Sequence, residues 1–130
     1  MANDARKRVL IVDDASLVRL YYRTTLENAG LVVGEALNGI EALEQLLTVR
    51  YDLLVVDVNM PQMDGITFVK SLRGKSAPMA STPVLMSSSE AHAMRIAAAR
   101  AAGANFYIVK PLTQEALVQY ALLLCGAPHG

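Results

Sequence analysis

Cysteine is almost missing from this 130-residue chain, where Cys125 stands alone. No internal disulfide and no cysteine-built zinc site can form. An excess of either charge is missing too: twelve Lys and Arg offset twelve Asp and Glu. A nucleic-acid-coating surface or a polybasic membrane anchor needs surplus positive charge, so neither partner is expected. Long apolar runs are absent. The run from Tyr120 to Cys125 is far below the ~18 residues of a membrane span. The opening Met1-Ala-Asn-Asp-Ala-Arg-Lys-Arg8 is basic, but no secretory apolar segment of adequate length follows it. There is no low-complexity tract and neither glycine-rich phosphate loop, G-x-G-x-x-G or G-x-x-x-x-G-K-[ST]. These absences lead to the expectation of a cytoplasmic protein that is one domain over residues 1–130.

What is present is a globular composition, 53% hydrophobic and 18% charged. Short β-branched runs alternate with helical periodicity. Arg8 to Asp13, Leu31 to Ala36, Tyr51 to Asp57, Pro83 to Ser87 and Asn105 to Val109 read as strands. Between and after them, Ala15 to Ala29, Ile40 to Val49, Ile66 to Arg73, Glu90 to Ala102 and Thr113 to Leu124 read as helices. In the first helix the apolar positions are Leu17, Val18, Leu20, Tyr21 and Thr24 to Leu26. Gly30, Gly103 and Gly126 stop helices, and Thr113 starts one. Strands buried on both faces and joined by helices make an α/β fold, a parallel sheet with helices on both sides.

Ligands of such sheets bind outside the carboxyl ends of the strands. There the first strand delivers Asp13 and Asp14, the third Asp57, the fourth Ser87, Ser88 and Ser89, and the fifth Lys110. Crowded carboxylates repel unless a cation sits among them, and hard oxygen ligands favour Mg²⁺.

Asp13-Asp14, Asp57 with Asn59-Met-Pro-Gln-Met-Asp-Gly65, Ser88 and Lys110-Pro111, in this order and on these strand ends, resemble the signature of bacterial response-regulator receiver domains. The resemblance covers about residues 8 to 124 and is to the stand-alone chemotaxis type, with no output domain expected. It implies a flavodoxin-like, doubly wound sheet of order 2-1-3-4-5 with five helices on two faces. Asp57 would accept a phosphoryl group from a histidine kinase or phosphotransfer protein, with Lys110 pairing with that group. Mg²⁺ would be held by Asp13 or Asp14, Asp57 and the Asn59 backbone carbonyl. Ser88 and Tyr107 would act as the switch, changing the face of the fourth helix, fifth strand and fifth helix that a downstream protein reads. Lys110-Pro111 resembles the family's cis peptide. Asn59 and Glu90 occupy the positions that tune dephosphorylation in this family. Such a protein is a signalling protein, an enzyme only toward its own phosphotransfer and autodephosphorylation.

Other readings of the same residues are weighed beside this one. Asp14 can cap the first helix as well as hold metal, and Asp64-Gly65 reads as a turn opening the next helix. His92 and His129 read as solvated, and Cys125 as a small hydrophobe. Ser88 stands where threonine is more usual, and Leu112 where phenylalanine is frequent. A Mg²⁺-dependent aspartyl phosphatase would need an acid two positions after the nucleophile; Asn59 stands there. A pseudo-receiver would lack Asp57, Lys110 or the acid pair, and all are present. A phosphorelay shuttle or a non-chemotactic regulator remains the alternative. In the last helix Leu117, Ala121 and Leu124 form the stripe against the sheet. That leaves some of Val118, Tyr120, Leu122 and Leu123 for a partner or a homodimer, unless the core stripe is simply wide.

Overall fold

Val9-Leu-Ile-Val12 and Leu53-Leu-Val-Val56 have no polar residue to turn toward water, so they are stable only where both faces are covered. In the structure, a computed structural model that describes residues 6–89 and 93–126, both runs are fully buried. They lie in β1 (Arg8–Val12) and β3 (Leu53–Asp57). With β2 (Val32–Ala36), β4 (Val84–Ser88) and β5 (Phe106–Val109) they form one parallel sheet of order β2-β1-β3-β4-β5. The helices are α1 (Ser16–Asn28), α2 (Gly39–Leu46), α3 (Gly65–Arg73), α4 (Ala93–Ala102) and α5 (Gln114–Cys125), with a 3₁₀ turn at Met79–Ser81. Fold and strand order are those the sequence led us to expect.

Strand alternation splits the interior into two cores. Leu10, Val12, Leu54, Val56 and Met86 face α2, α3 and α4, where Phe68 and Leu72 are fully buried. Val9, Ile11, Leu53, Val55 and Leu85 face α1 and α5, meeting Tyr22, Leu26, Leu117 and Ala121. Helix starts are set locally. Asn38 Oδ1 accepts from Glu41 N at 2.9 Å while Glu41 Oε1 accepts from Leu37 N at 3.2 Å, a reciprocal cap. Asp64 Oδ1 likewise accepts from Thr67 N at 2.8 Å, so Asp64 opens α3 as expected. Thr113 caps α5 and Gly126 ends it in the left-handed conformation.

Several expectations are corrected. The edge strands are not buried on both faces: Phe106 and Val109 of β5 are exposed, because each has a neighbouring strand on one side only. The fourth strand runs one residue further, to Ser88. In α1, Leu17 and Leu20 are 79% and 59% exposed. The buried side is instead Tyr22, Thr25 and Leu26, with Val18 partly covered, since Val18, Tyr22 and Leu26 recur every four residues. Ala15, not Asp14, is the N-cap of α1, and no side chain caps it. On α5 the buried stripe is Leu117, Ala121 and Cys125, a strict four-residue spacing that displaces Leu124 to a half-buried position. Val118, Tyr120 and Leu122 are half-buried and Leu123 is exposed. Glu90, His92 and His129 lie outside the described residues.

Arg73 ties the far end of α3 to two loops. Its Nη1 donates to Ala80 O (3.0 Å) and Thr82 O (2.6 Å), and its Nε and Nη2 donate to Gly103 O (3.1 and 2.8 Å). Nη2 also donates to Asn105 Oδ1 (3.1 Å), which accepts from Val84 N (2.8 Å). Gly103 has φ +114°, and a Cβ there would stand 2.7 Å from Arg73 Cγ, so glycine serves both the turn and the guanidinium stem. Arg73→Ala strands carbonyls that only this side chain reaches from α3. It is expected to cost about 2–4 kcal/mol, read as a lower urea midpoint at unchanged slope.

Candidate functional site

The connections after β1, β3 and β5 place three residues of the sequence motif together. Asp13 follows β1, and its backbone N–H donates to Ala36 O at 3.1 Å. Its Oδ1 accepts from Ala15 N at 2.9 Å, and its carbonyl accepts from Arg19 Nη1 at 2.8 Å. Arg19 in turn donates to Glu35 Oε1 at 2.9 Å, so β2 and α1 both hold the Asp13 main chain. Asp57 ends β3 in register with Ser87. Lys110 follows β5, its N–H donating to Ser88 O at 2.8 Å, and its peptide bond to Pro111 is cis. Lys110 Nζ lies 3.2 Å from Asp13 Oδ2 and 3.2 Å from Asp57 Oδ1.

Asp14 is exposed at the rim, yet carboxylate oxygens of Asp13, Asp14 and Asp57 all lie within 4.8 Å of one another. That donor set is all hard oxygen, and its three acids outnumber the one ammonium, which is bonded to Asp13 and Asp57. It fits a divalent cation of the Mg²⁺ kind. Ser88 is fully buried at the end of β4. Tyr107 is half-buried against the core beneath α3 and α4. Leu112 is buried. Asn59 is exposed between buried Val58 and Met60. Glu90 is not among the described residues.

Burial pushes the Asp57 carboxyl above its ordinary value; Lys110 pulls it back and Asp13 pushes it up again. For Lys110 burial acts downward, but Asp57 and then Asp13 outweigh it and the ammonium is held more firmly than usual. Burial also raises the Tyr22 phenol, which lies within the field of Lys110, Asp13 and Asp57. Ser87 Oγ, buried near it, lacks a well-formed hydrogen bond.

Sequence reasoning missed three participants. Gly65 was read as a turn residue only. A Cβ there would sit 2.3 Å from Asp57 O, and Gly65 N donates to Val58 O at 2.8 Å, so the start of α3 lies directly on the phosphoacceptor candidate's main chain. Arg19 and Arg95 were not singled out, because an isolated arginine on a helix carries no local signal of where its head will reach. Arg95 Nη2 donates to Asn59 Oδ1 at 2.9 Å.

A parallel five-stranded sheet of this order, with paired acids after β1, an aspartate ending β3 and a lysine after β5, is the layout of a receiver-type signalling domain. Residues 9–122 match the family of the response regulator receiver domain, and the chain belongs to that family. It is CheY-like. Over 114 residues it is 40% identical to the chemotaxis protein CheY of Thermotoga maritima, covering 87% of this chain and 92% of that protein. Over 111 residues it is 39% identical to the chemotaxis protein CheY of Pseudomonas aeruginosa, covering 85% and 89%. The structure of chemotaxis protein CheY4 of Vibrio cholerae superposes with a TM-score of 0.86 at 36% identity, over 92% of this chain and 99% of that one. Among the described residues no helix is long and apolar enough to cross a membrane.

Two outcomes are expected. Folded Asp57 holds its proton more tightly than an ordinary carboxyl of value 3.8. Between the ordinary and the raised value the folded state therefore binds more protons, and stability falls as pH climbs through that window. Asp57→Asn removes this loss while Asp13 still holds Lys110. In chelator the variant should melt above the wild type at neutral pH and converge with it below the ordinary carboxyl value; thermal melts across pH check this. Gly65→Ala should lower stability by about 1–3 kcal/mol and shift the amide resonances of Asp57 and Val58, since main chain must move.

Proposed function

We propose that this chain receives a phosphoryl group on Asp57 from the phosphohistidine of a histidine kinase or phosphotransfer protein. The signal leaves through a change of the surface made by α4, β5 and α5. The observation that carries this reading is Lys110 Nζ at 3.2 Å from both Asp13 and Asp57, with Asp14 completing the acid cluster. An Asp57 oxygen forms the new bond to phosphorus, the bond from phosphorus to the histidine nitrogen breaks, and its electron pair returns to the imidazole. Lys110, already beside the attacking carboxylate, follows the negative charge onto the phosphoryl oxygens as the newly phosphorylated Asp57 oxygen loses it.

Asp13 or Asp14, Asp57 and the Asn59 backbone carbonyl would hold Mg²⁺, which would supply neutralisation of phosphoryl charge. Ser88, at the end of β4 beside the register partner of Asp57, donates its hydroxyl to the new group. Its movement lets Tyr107, half-buried at the outset, pack further in and alter the α4–β5–α5 surface. The CheY relatives favour a chemotactic pathway as the setting, with the downstream partner a protein that reads this face.

Incubation with acetyl phosphate and Mg²⁺ tests the reading by intact mass. One labile phosphoryl adduct is expected, absent in Asp57→Asn and formed at least about tenfold more slowly in Lys110→Ala. No adduct from acetyl phosphate or from a phosphorylated histidine kinase would reject it.

A further inference from the structure

Lys110 stands just past β5, an edge strand, so the sheet holds its main chain from one side only, through Lys110 N to Ser88 O at 2.8 Å. Beyond Lys110 the chain passes through Pro111 and Leu112 to Thr113, the N-cap of α5. Tyr21 of α1 reaches this turn and donates through Oη to Leu112 O at 3.1 Å. Among the described residues no other side chain bonds to the main chain of residues 110–112. Tyr21 lies one position before Tyr22 of the buried α1 stripe, so its ring sits at the flank of the helix, 38% exposed. That ring is braced against Tyr22, centroids 5.8 Å apart. Tyr22 is buried, and its phenol lies within the field of the Lys110 ammonium. Two adjacent residues of α1 thus bear on the lysine, Tyr22 toward its charged head and Tyr21 toward its main chain. Pro111 stands between Lys110 and the carbonyl that Tyr21 holds. Its ring fixes one of the few torsions joining them, so a restraint on that carbonyl passes to the lysine.

We propose that Tyr21 is a positioning residue that holds Lys110 in place through the Leu112 carbonyl and so speeds phosphoryl transfer to Asp57. The proposal rests on the reading of Asp57 and Lys110 given above. With acetyl phosphate as donor, an Asp57 oxygen forms the bond to phosphorus. The bond from phosphorus to the acetate oxygen breaks, and its electron pair leaves on acetate. Before the reaction the Lys110 ammonium is fixed by two ion pairs, 3.2 Å from Asp13 and 3.2 Å from Asp57. As Asp57 commits an oxygen to phosphorus its charge falls and that pair weakens. The amine is then placed by Asp13 and by where its flexible four-carbon stem is rooted. A root that shifts by a fraction of an ångström carries the charge off the phosphoryl oxygens it must meet. Ser88 O holds that root on the strand side, and Tyr21 holds it on the side of α5.

The full chain is incubated with acetyl phosphate and Mg²⁺, and adduct formation is timed by intact mass. Tyr21→Phe keeps the ring and removes the one donor. It is expected to slow formation about fivefold, the loss of one neutral hydrogen bond. In a Lys110→Ala background the same substitution should have no further effect, a coupling that a merely structural role for Tyr21 would not produce. Without a phosphoryl donor, the nitrogen resonance of the Lys110 ammonium should shift in Tyr21→Phe. Thr25→Val removes a different α1 hydrogen bond, Thr25 Oγ1 to Tyr21 O at 2.8 Å, and should leave the rate unchanged. An unchanged or faster rate in Tyr21→Phe, an unmoved Lys110 resonance, or equal slowing in Thr25→Val or in the Lys110→Ala background overturns the proposal while leaving Asp57 as phosphoacceptor. A wild-type chain that takes up no phosphoryl group overturns both.

Discussion

Asp13 and Asp57 are both nearly inaccessible to water and share one ammonium, Lys110, 3.2 Å from each. Much of the rest of the fold is arranged around this shortage of positive charge. Two buried carboxylates on neighbouring strands repel strongly where water is excluded. One lysine brought from two strands away relieves part of that repulsion, and its hold on the chain end of β5 fixes the edge of the sheet. Burial first, and Asp13 after it, still push the Asp57 carboxyl above its ordinary value despite Lys110. A carboxylate kept under such tension is well placed to exchange charge with an incoming group or cation.

The parallel order of the sheet explains why the charges meet at all. Each strand begins at the same end, so every crossover returns the chain to the opposite side and all carboxyl ends gather on one edge. The elements behind that edge are anchored by contacts that have nothing to do with the chemistry. Arg73 gathers carbonyls of the loops before β4 and β5, and Arg19 holds the main chain of Asp13. Gly65 permits α3 to start against the Asp57 carbonyl. Rigidity at the far end and along α1 therefore supports precision at the near end.

Fold class and the acid cluster with Lys110 were legible in the sequence because each rests on local pattern, whereas the strand order came with the family resemblance. β-branched runs ending in Asp read as buried strands, and Asp13, Asp14, Asp57 and Lys110 fall on strand ends whatever the details of packing. The roles drawn from resemblance stand as the proposal above. Which helix face turns inward was less legible. α1 carries enough apolar residues for two stripes, and only packing against α5 and the sheet selects Tyr22 and Leu26 over Leu17 and Leu20. The α5 stripe ran to Cys125 because four-residue spacing from Ala121 reaches it and not Leu124. Arg95 and Arg19 were invisible for a different reason. A long flexible side chain declares nothing about its target until the helix carrying it is placed in space.

The two faces of the sheet grip their helices unequally. α3 buries Phe68, Val69 and Leu72, whereas the described part of α4 buries two alanines, Ala99 and Ala102. With so little of its apolar surface fully buried, α4 has less to lose than α3 when it shifts, and a polar contact such as Arg95 Nη2 to Asn59 Oδ1 at 2.9 Å counts for more in placing it. A shift of the Asn59 loop would therefore reach α4 more readily than α3.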